Sequence, residues 1–320
     1  MAYPTPAVTV TTADKFIPEI WSDEIVAAYK KNLVLANIVM KMNFKGKKGD
    51  TVHIPAPTRG NASAKAASTA VTLIADTETE VQVLINKHYE YSRFIEDIVE
   101  AQALNSLRQF YTADAGYALA KQVDTDLIQL GRAFNGATVG TNDYATSNTS
   151  TKAFIGGDGT TAYNSTSSNA SALTDAAIRR TIQRLDDNDT PMDGRFFIIP
   201  PSSRNTLMGL SRYTEQAFVG NGNAIRTGEI GQLYGIPVFT SSNADTGAGN
   251  TATDRICLMG HKDSMVLVEQ VGVRSQTQYK QEYLATLFTS DTLYGVKAMR
   301  TAATTGAALS SSAFALAVPA

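Results

Sequence analysis

The side chains able to do chemistry are few and scattered in this 320-residue chain. His53, His88 and His261 stand far apart, each in a strand-like segment. They form neither an HExxH pair nor another metal-binding spacing. Cys257 is the only cysteine, so an intrachain disulfide and a thiolate cluster are both excluded. Its setting, Ile256-Cys257-Leu258-Met259, is that of a buried small hydrophobe rather than a nucleophile. Asp186-Asp187-Asn188-Asp189 with Asp193-Gly194 has the look of a calcium loop. An EF-hand counted from Asp187 needs Gly and Glu where Met192 and Ile198 stand, so a polar helix end and turn is expected. Gly46-Lys47-Lys48-Gly49-Asp50 lacks the GxxxxGK[ST] order of a phosphate loop and reads as a basic hairpin turn. No GxSxG elbow raises a serine to nucleophile. The sequence therefore predicts a non-enzyme with no cofactor and no metal site.

Bulk composition points the same way. Charged residues make up 18%, below the ~25% of ordinary soluble domains, and the formal net charge of −2 argues against a dedicated nucleic-acid binder. A basic-then-apolar leader is not seen, and no apolar run of about 18 residues predicts a membrane span. The expected compartment is cytoplasm-like.

The elements that must carry these residues differ along the chain. Residues 1–12 are rich in Pro, Thr and Ala and read as an extended arm. Asp14 can cap a following helix with Pro18 in its first turn. Trp21, Ile25, Ala28 and Tyr29 then share one helical face and need something to pack on. Beyond the basic turn, a strand is predicted over Thr51–Ile54. Residues 60–70 are nearly all small, and strict alternation runs from Thr77 to Ile85. Two strands around a small-residue tip form a long β-arm, marginal alone and better explained if a neighbour covers it.

From Ile95 to Phe134 a helical pattern is read, with a stripe of Leu119, Val123, Leu127, Leu130 and Phe134. Unbroken from Ser106, this strut would span roughly 43 Å, with Gly116 its soft spot. The Gly/Ser/Thr/Asn-rich stretch 136–172 reads as an insertion loop or boundary. Next come a helix over Leu173–Asp187, a buried strand Arg195–Ile199 stopped by Pro200-Pro201, a short helix near Ser202–Leu210 and a polar loop at 211–229. Strands are read at 236–239, 256–259 and 265–273. The Ala/Ser/Thr-rich tail is expected on the surface. The class is α+β.

In this order the segments resemble the major capsid proteins of tailed bacteriophages, built on the Hong Kong 97 type fold, and above all the coats of short-tailed phages. The stretches that carry the likeness are Leu173-Thr174-Asp175 with Arg195-Phe196-Phe197-Ile198-Ile199-Pro200-Pro201, Gly228-Glu229-Ile230-Gly231-Gln232-Leu233-Tyr234-Gly235-Ile236-Pro237-Val238, and Leu293-Tyr294-Gly295-Val296-Lys297-Ala298-Met299-Arg300. The resemblance implies an N-terminal arm over 1–43, an E-loop over 44–92, and a peripheral domain with spine helix and insertion loop over 93–172. It further implies an axial domain over 173–270, with peripheral-domain return strands and a tail over 271–320. By the same resemblance, copies of the chain form pentamers and hexamers in an icosahedral head around double-stranded DNA, without sequence-specific binding and without a membrane. A portal and a decoration protein are implied partners. No charged helical prefix precedes residue 14, so a separate scaffolding protein is expected. Assembly in the host cytoplasm and residence in the virion follow. Trp21, Lys45, Lys47, Lys48, Arg59 and Lys65, with Glu78, Glu80, Glu96, Asp97 and Glu100 as acidic counterparts, are candidates for contacts between subunits. The rival readings are an encapsulin-like compartment, a phage surface adhesin and an enzyme with an unrecognised site.

Overall fold

The computed structural model describes residues 34–46, 48–57, 62–71, 73, 78–97, 107–134, 153–164, 168–210, 231–246, 254–299 and 312–320. Within them the elements run α1 (Leu35–Ile38), β1 (Met40–Asn43), β2 (Thr51–Pro57), β3 (Glu78–Leu84), β4 (Lys87–Glu96), α2 (Leu107–Gln129), α3 (Gly131–Phe134) and β5 (Phe154–Ile155). They continue α4 (Asp175–Asp187), β6 (Arg195–Ile199), α5 (Pro201–Met208), β7 (Gln232–Leu233), β8 (Ile236–Thr240), β9 (Arg255–His261), β10 (Met265–Lys280), β11 (Ala285–Ala298) and β12 (Ala313–Val318).

Three sheets organise the described chain. A four-stranded sheet has the order β1-β10-β11-β4, a six-stranded one β5-β12-β9-β6-β8-β7, and β2 pairs with β3 alone. The six-stranded sheet is buried on both faces, which is why its strands read as unbroken apolar runs. On one face Phe197, Ile199, Cys257, Met259, Leu316 and Val318 pack with Ile178 and Leu185 of α4 and Leu207 of α5. On the other, Phe196, Ile198 and Leu258 meet Leu127, Leu130 and Phe134. Each such buried side chain contributes about 1.5–3 kcal/mol by leaving water.

Local signals fix several boundaries. Thr174 caps α4, its Oγ1 accepting from the Ala177 amide at 3.3 Å. Pro200 ends β6, and Pro201 opens α5 as its first residue, where a missing N–H costs nothing.

Other expectations are corrected. The helical reading at Ile95 fails: β4 extends through Glu96, and Ile95 is a buried strand residue paired with Thr286. The strut runs straight through Gly116 and breaks instead at Leu130, a turn before α3. The stretch 136–172 is not structureless throughout, because Phe154–Ile155 forms β5 and Tyr163 is buried, its hydroxyl donating to Asp254 at 2.9 Å. The tail is not a surface segment: all six residues of β12 are buried, with β5 parallel on one side and β9 antiparallel on the other. Strand β10 also runs past the expected 273 to Lys280, in a hairpin with β11. The predicted loop at 211–229 lies outside the described residues.

Candidate assembly surface

The basic turn and the alternating stretch fold as predicted into a two-stranded arm. β2 and β3 pair antiparallel from Thr51 opposite Leu84 to Pro57 opposite Glu78. Pro55 and Pro57 are tolerated because β2 is an edge strand. The alternation places Val81 and Val83 inward, and Ile85 just beyond the strand joins them. Glu80, Gln82 and Leu84 point outward. Val83 and Ile85 pack on Val266 and Val268 of β10, with Val52 and Ile54 beside them. The arm therefore has an apolar root on the four-stranded sheet. Residues 62–71 are all exposed.

Two carboxylates on α2 brace this region. Asp126 accepts the Tyr294 hydroxyl at 2.7 Å and the Lys87 ammonium at 3.0 Å, and those two residues are cross-strand neighbours on β11 and β4. Burial, reinforced by the Asp126 charge, drives the Tyr294 hydroxyl far above the ordinary tyrosine range, so it remains a donor. Asp124 is fully buried. Its Oδ1 accepts the amides of Val34, Leu35 and Ala36 at 3.2, 2.8 and 3.4 Å, and its Oδ2 accepts from Asn243 at 3.0 Å. Arg132 then clamps Asp245 through two hydrogen bonds of 2.8 and 2.9 Å. The helix thus holds the chain entering α1, the root of β4 and the loop after β8 at once.

Along the four-stranded sheet, Arg274 binds Asp291 in a paired contact of 2.7 and 2.8 Å, with His88 at 3.1 Å. Chiefly through the Arg274 hydrogen bonds, the Asp291 carboxyl is held down at about 2. At the far end of the sheet the rings of Phe94 and Tyr283 meet at a tilt of 49° with centroids 5.7 Å apart, both more than half exposed, beside exposed Leu284.

The predicted contact residues fall into three groups. Trp21, Lys47, Arg59 and Glu100 lie outside the described residues, and Glu78 is placed by its backbone on β3. Lys48, Lys65 and Glu96 are exposed, Lys65 near the arm's tip. Lys45, Glu80 and Asp97 have partners within the chain. Lys45 faces Glu269 at 3.6 Å, and Asp97 accepts the Tyr279 hydroxyl at 2.8 Å. Glu80 meets His53 at 2.9 Å and Gln82 at 2.6 Å, with the Gln82 hydrogen bond leading in pulling its carboxyl below the usual range. Among the described residues the candidates are not gathered into one pocket; they are spread along the arm and the sheet's far end.

The isolated histidines lie on β2, β4 and β9, and Cys257 is buried with its thiol pushed up to about 12 by desolvation. Among the described residues no His/Cys/Asp/Glu group could hold a metal ion, and no helix is long and apolar enough to cross a membrane. The bracing network of Asp124, Asp126, Lys87, Arg132, Asp245, Arg274 and Asp291 was missed by the sequence reading. Its partners lie far apart in the chain, by 113 residues for Arg132 and Asp245 and 168 for Asp126 and Tyr294, and local spacing carries no trace of that.

A projecting arm with a fixed root, a braced strut and two packed sheets are the parts of a building block. A family model described as phage capsid protein matches residues 21–304. The chain belongs to the phage capsid protein family. Among solved structures, this capsid protein is similar to a chain from Mycobacterium phage Che8, with 21% identity, TM-score 0.72, and coverage of 94% of this chain and 97% of that one. A chain from the capsid of cyanophage P-SCSP1u shares 20% identity at TM-score 0.71, covering 95% and 93%. One from the mature capsid of bacteriophage PhiM1 shares 15% at TM-score 0.68, covering 94% and 92%. No curated protein matches. The fold is of the Hong Kong 97 type. The protein is a major capsid protein that associates with its own copies to form the phage head shell, and its place is the virion.

Proposed function

We propose that the shell is an icosahedral head of pentamers and hexamers enclosing double-stranded DNA, and that the β2–β3 arm clasps a neighbouring subunit. The observation that carries this is the contrast within the arm: an apolar root packed on β10 and a fully exposed tip. A two-stranded ribbon is marginal in water and gains stability when a partner covers it.

In this reading 1–43 is the arm, 44–92 the E-loop, 93–172 and 271–320 the peripheral domain, and 173–270 the axial domain. The pairings support one refinement: residues 154–155 and 313–318 join the axial sheet, while β10, begun inside 173–270, pairs along its length with β11 of the other sheet. Lys45, Lys47, Lys48, Arg59 and Lys65 meet carboxylates of neighbours, with Glu78, Glu80, Glu96 and Asp97 as their counterparts and Trp21 as an apolar contact. Exposed pairs contribute only ~0–1 kcal/mol each, yet repetition around a shell makes assembly salt-dependent. A scaffolding protein, a portal and a decoration protein are the partners. The chain has no catalytic role, in keeping with a scattered set of reactive side chains.

Deletion of residues 58–70 tests the proposal by electron microscopy of particles assembled with a scaffold. Loss of closed shells, with the six-stranded sheet still folded by circular dichroism, supports it. Normal particles of uniform diameter would remove the arm from assembly.

A further inference from the structure

The two faces of the four-stranded sheet carry different features, and strand alternation sorts them. Val266 and Val268 of β10 and Leu293 of β11 lie on the face that holds the root of the β2–β3 arm. Leu267 and Glu269 of β10 and Tyr294 of β11, one step along each strand, lie on the other. There a cavity of about 270 Å³ opens between the sheet, α1 and α2. Leu119 and Val123 of α2 wall it on one side, and Val273 stands 56% exposed at its edge. An apolar cavity of about 150 Å³ already accepts a benzene ring, so this one has room for two aliphatic side chains.

The far end of the arm supplies the complement. Residues 62–71 are exposed and nearly all small. Two large apolar side chains break that pattern: Val71 is 68% exposed and Leu73 88%, the highest value for such a side chain among the described residues. Two positions apart, they share one side of an extended chain. Their exposure shows that neither is seated on its own subunit. The seven residues of each arm strand span roughly 23 Å, which carries this end well away from the root. Lys65 is the only charged residue between 60 and 73, and Glu269 at the cavity wall keeps 40% of its side chain exposed.

We infer that Leu73, with Val71 beside it, seats in the cavity between α1, α2 and β10 of a neighbouring copy. The inference rests on the reading that the arm clasps a neighbour, and it adds where the arm lands. An arm rooted on one face and a cavity open on the other make every copy both donor and receiver. Such a contact is head-to-tail and closes into a ring, unlike a two-fold pair. Lys65 then gains Glu269 of the receiving copy as a further carboxylate.

Shells assembled with a scaffold from subunits carrying Leu73→Cys and Val273→Cys test this under mild oxidation, with Cys257 buried and out of reach. Denaturing gels without reductant should show a ladder of linked chains running up to pentamers and hexamers. Either single variant should give dimers at most. Leu73→Cys with Asn37→Cys, exposed on the α1 wall of the cavity, should give the same ladder and serves if the first pair fails to form shells. Linkage confined to single chains overturns the inference. So does a ladder from Leu73→Cys with Leu284→Cys, at the far end of the sheet, in place of the cavity pairs. Well-formed shells in which neither cavity pair links also overturn it; if deletion of 58–70 still abolishes shells, the arm clasps elsewhere on its neighbour. Normal shells from that deletion defeat the underlying reading itself.

Discussion

Asp245→Ala should be among the most damaging single changes away from the apolar core. The guanidinium of Arg132 meets both carboxylate oxygens of Asp245 at 2.8 and 2.9 Å, and the two side chains are only 7% and 5% exposed. Removing the carboxylate takes the paired contact away from a guanidinium that is nearly shut off from water. Breaking a buried pair in this way costs about 3–5 kcal/mol, against ~0–1 for an exposed pair. The Thr246 carbonyl, 3.4 Å from Nη2, recovers little of it. In urea, with an m-value near ~2.5 kcal/mol/M, the midpoint should fall by roughly 1–2 M. The assay is unfolding of unassembled subunits followed by far-ultraviolet circular dichroism, with wild type alongside. A double variant, Arg132→Met with Asp245→Leu, should recover most of the loss, since an apolar pair of similar volume needs no desolvation. A loss of about 1 kcal/mol or less for Asp245→Ala, typical of a solvated pair, would refute the buried-clamp reasoning. So would a double variant no more stable than the single one.

Asp291 should make the fold acid-sensitive. Its carboxyl sits at about 2 against an ordinary 3.8, so its stabilising contribution is complete above 3.8 and disappears as pH falls through about 2. Asp291→Asn should be less stable near neutrality and show a flatter stability profile across that window; an unchanged profile argues against the Arg274 pairing. Gly295→Ala would place a Cβ 2.4 Å from the Leu84 carbonyl oxygen, a backbone atom that cannot swing aside. Overpacking of this kind costs on the order of 1–3 kcal/mol. Limited proteolysis should then cut the β2–β3 arm faster than in wild type. Asp124→Ala leaves the Val34 and Leu35 amides without their acceptor, at about 1–3 kcal/mol for each buried donor left bare, while Asn243 keeps its hydrogen bond to Thr125. Hydrogen exchange at residues 34–36 should accelerate, whereas Asp124→Asn, which keeps one acceptor oxygen, should lose less.

What the sequence discloses depends on how local the cause is. Helix α4 was legible because Ile178, Ile182 and Leu185 keep helical spacing behind a capping Thr174. Strand β6 was legible because two prolines punctuate an apolar run. The arm was legible from the basic turn, the small-residue tip and the alternation between Thr77 and Ile85. Strand β12 was not, because Ala313, Ala315 and Ala317 make its segment look like a low-complexity tail. At Ala313 the smallness has a packing cause: a Cβ on Gly260 would come within 2.7 Å of the Ala313 methyl, so the strands meet closely there. Ile95 misled because an apolar residue at the end of a strand and one at the start of a helix look alike in a short window. Gly116 failed as a break point because open space surrounds it, and the helix pays only its intrinsic propensity there. Charge and position mark the contact candidates, yet Lys45, Glu80 and Asp97 have partners within the chain, set by cross-strand register and long-range approach.

The place of β12 also sets an order of events during synthesis. Strands β5, β9, β6, β8 and β7 all precede it in the chain, and β5 reaches the rest of its sheet only through β12. A nascent chain on the ribosome can form the β6–β9 pairing early, but residues 154–155 have no strand to join until 313–318 emerge. That link spans more than 150 residues, the kind of distant closure that slows folding. Until it is made, the apolar edge of β9 stands open in a cell that is filling with identical chains, each offering the same missing strand.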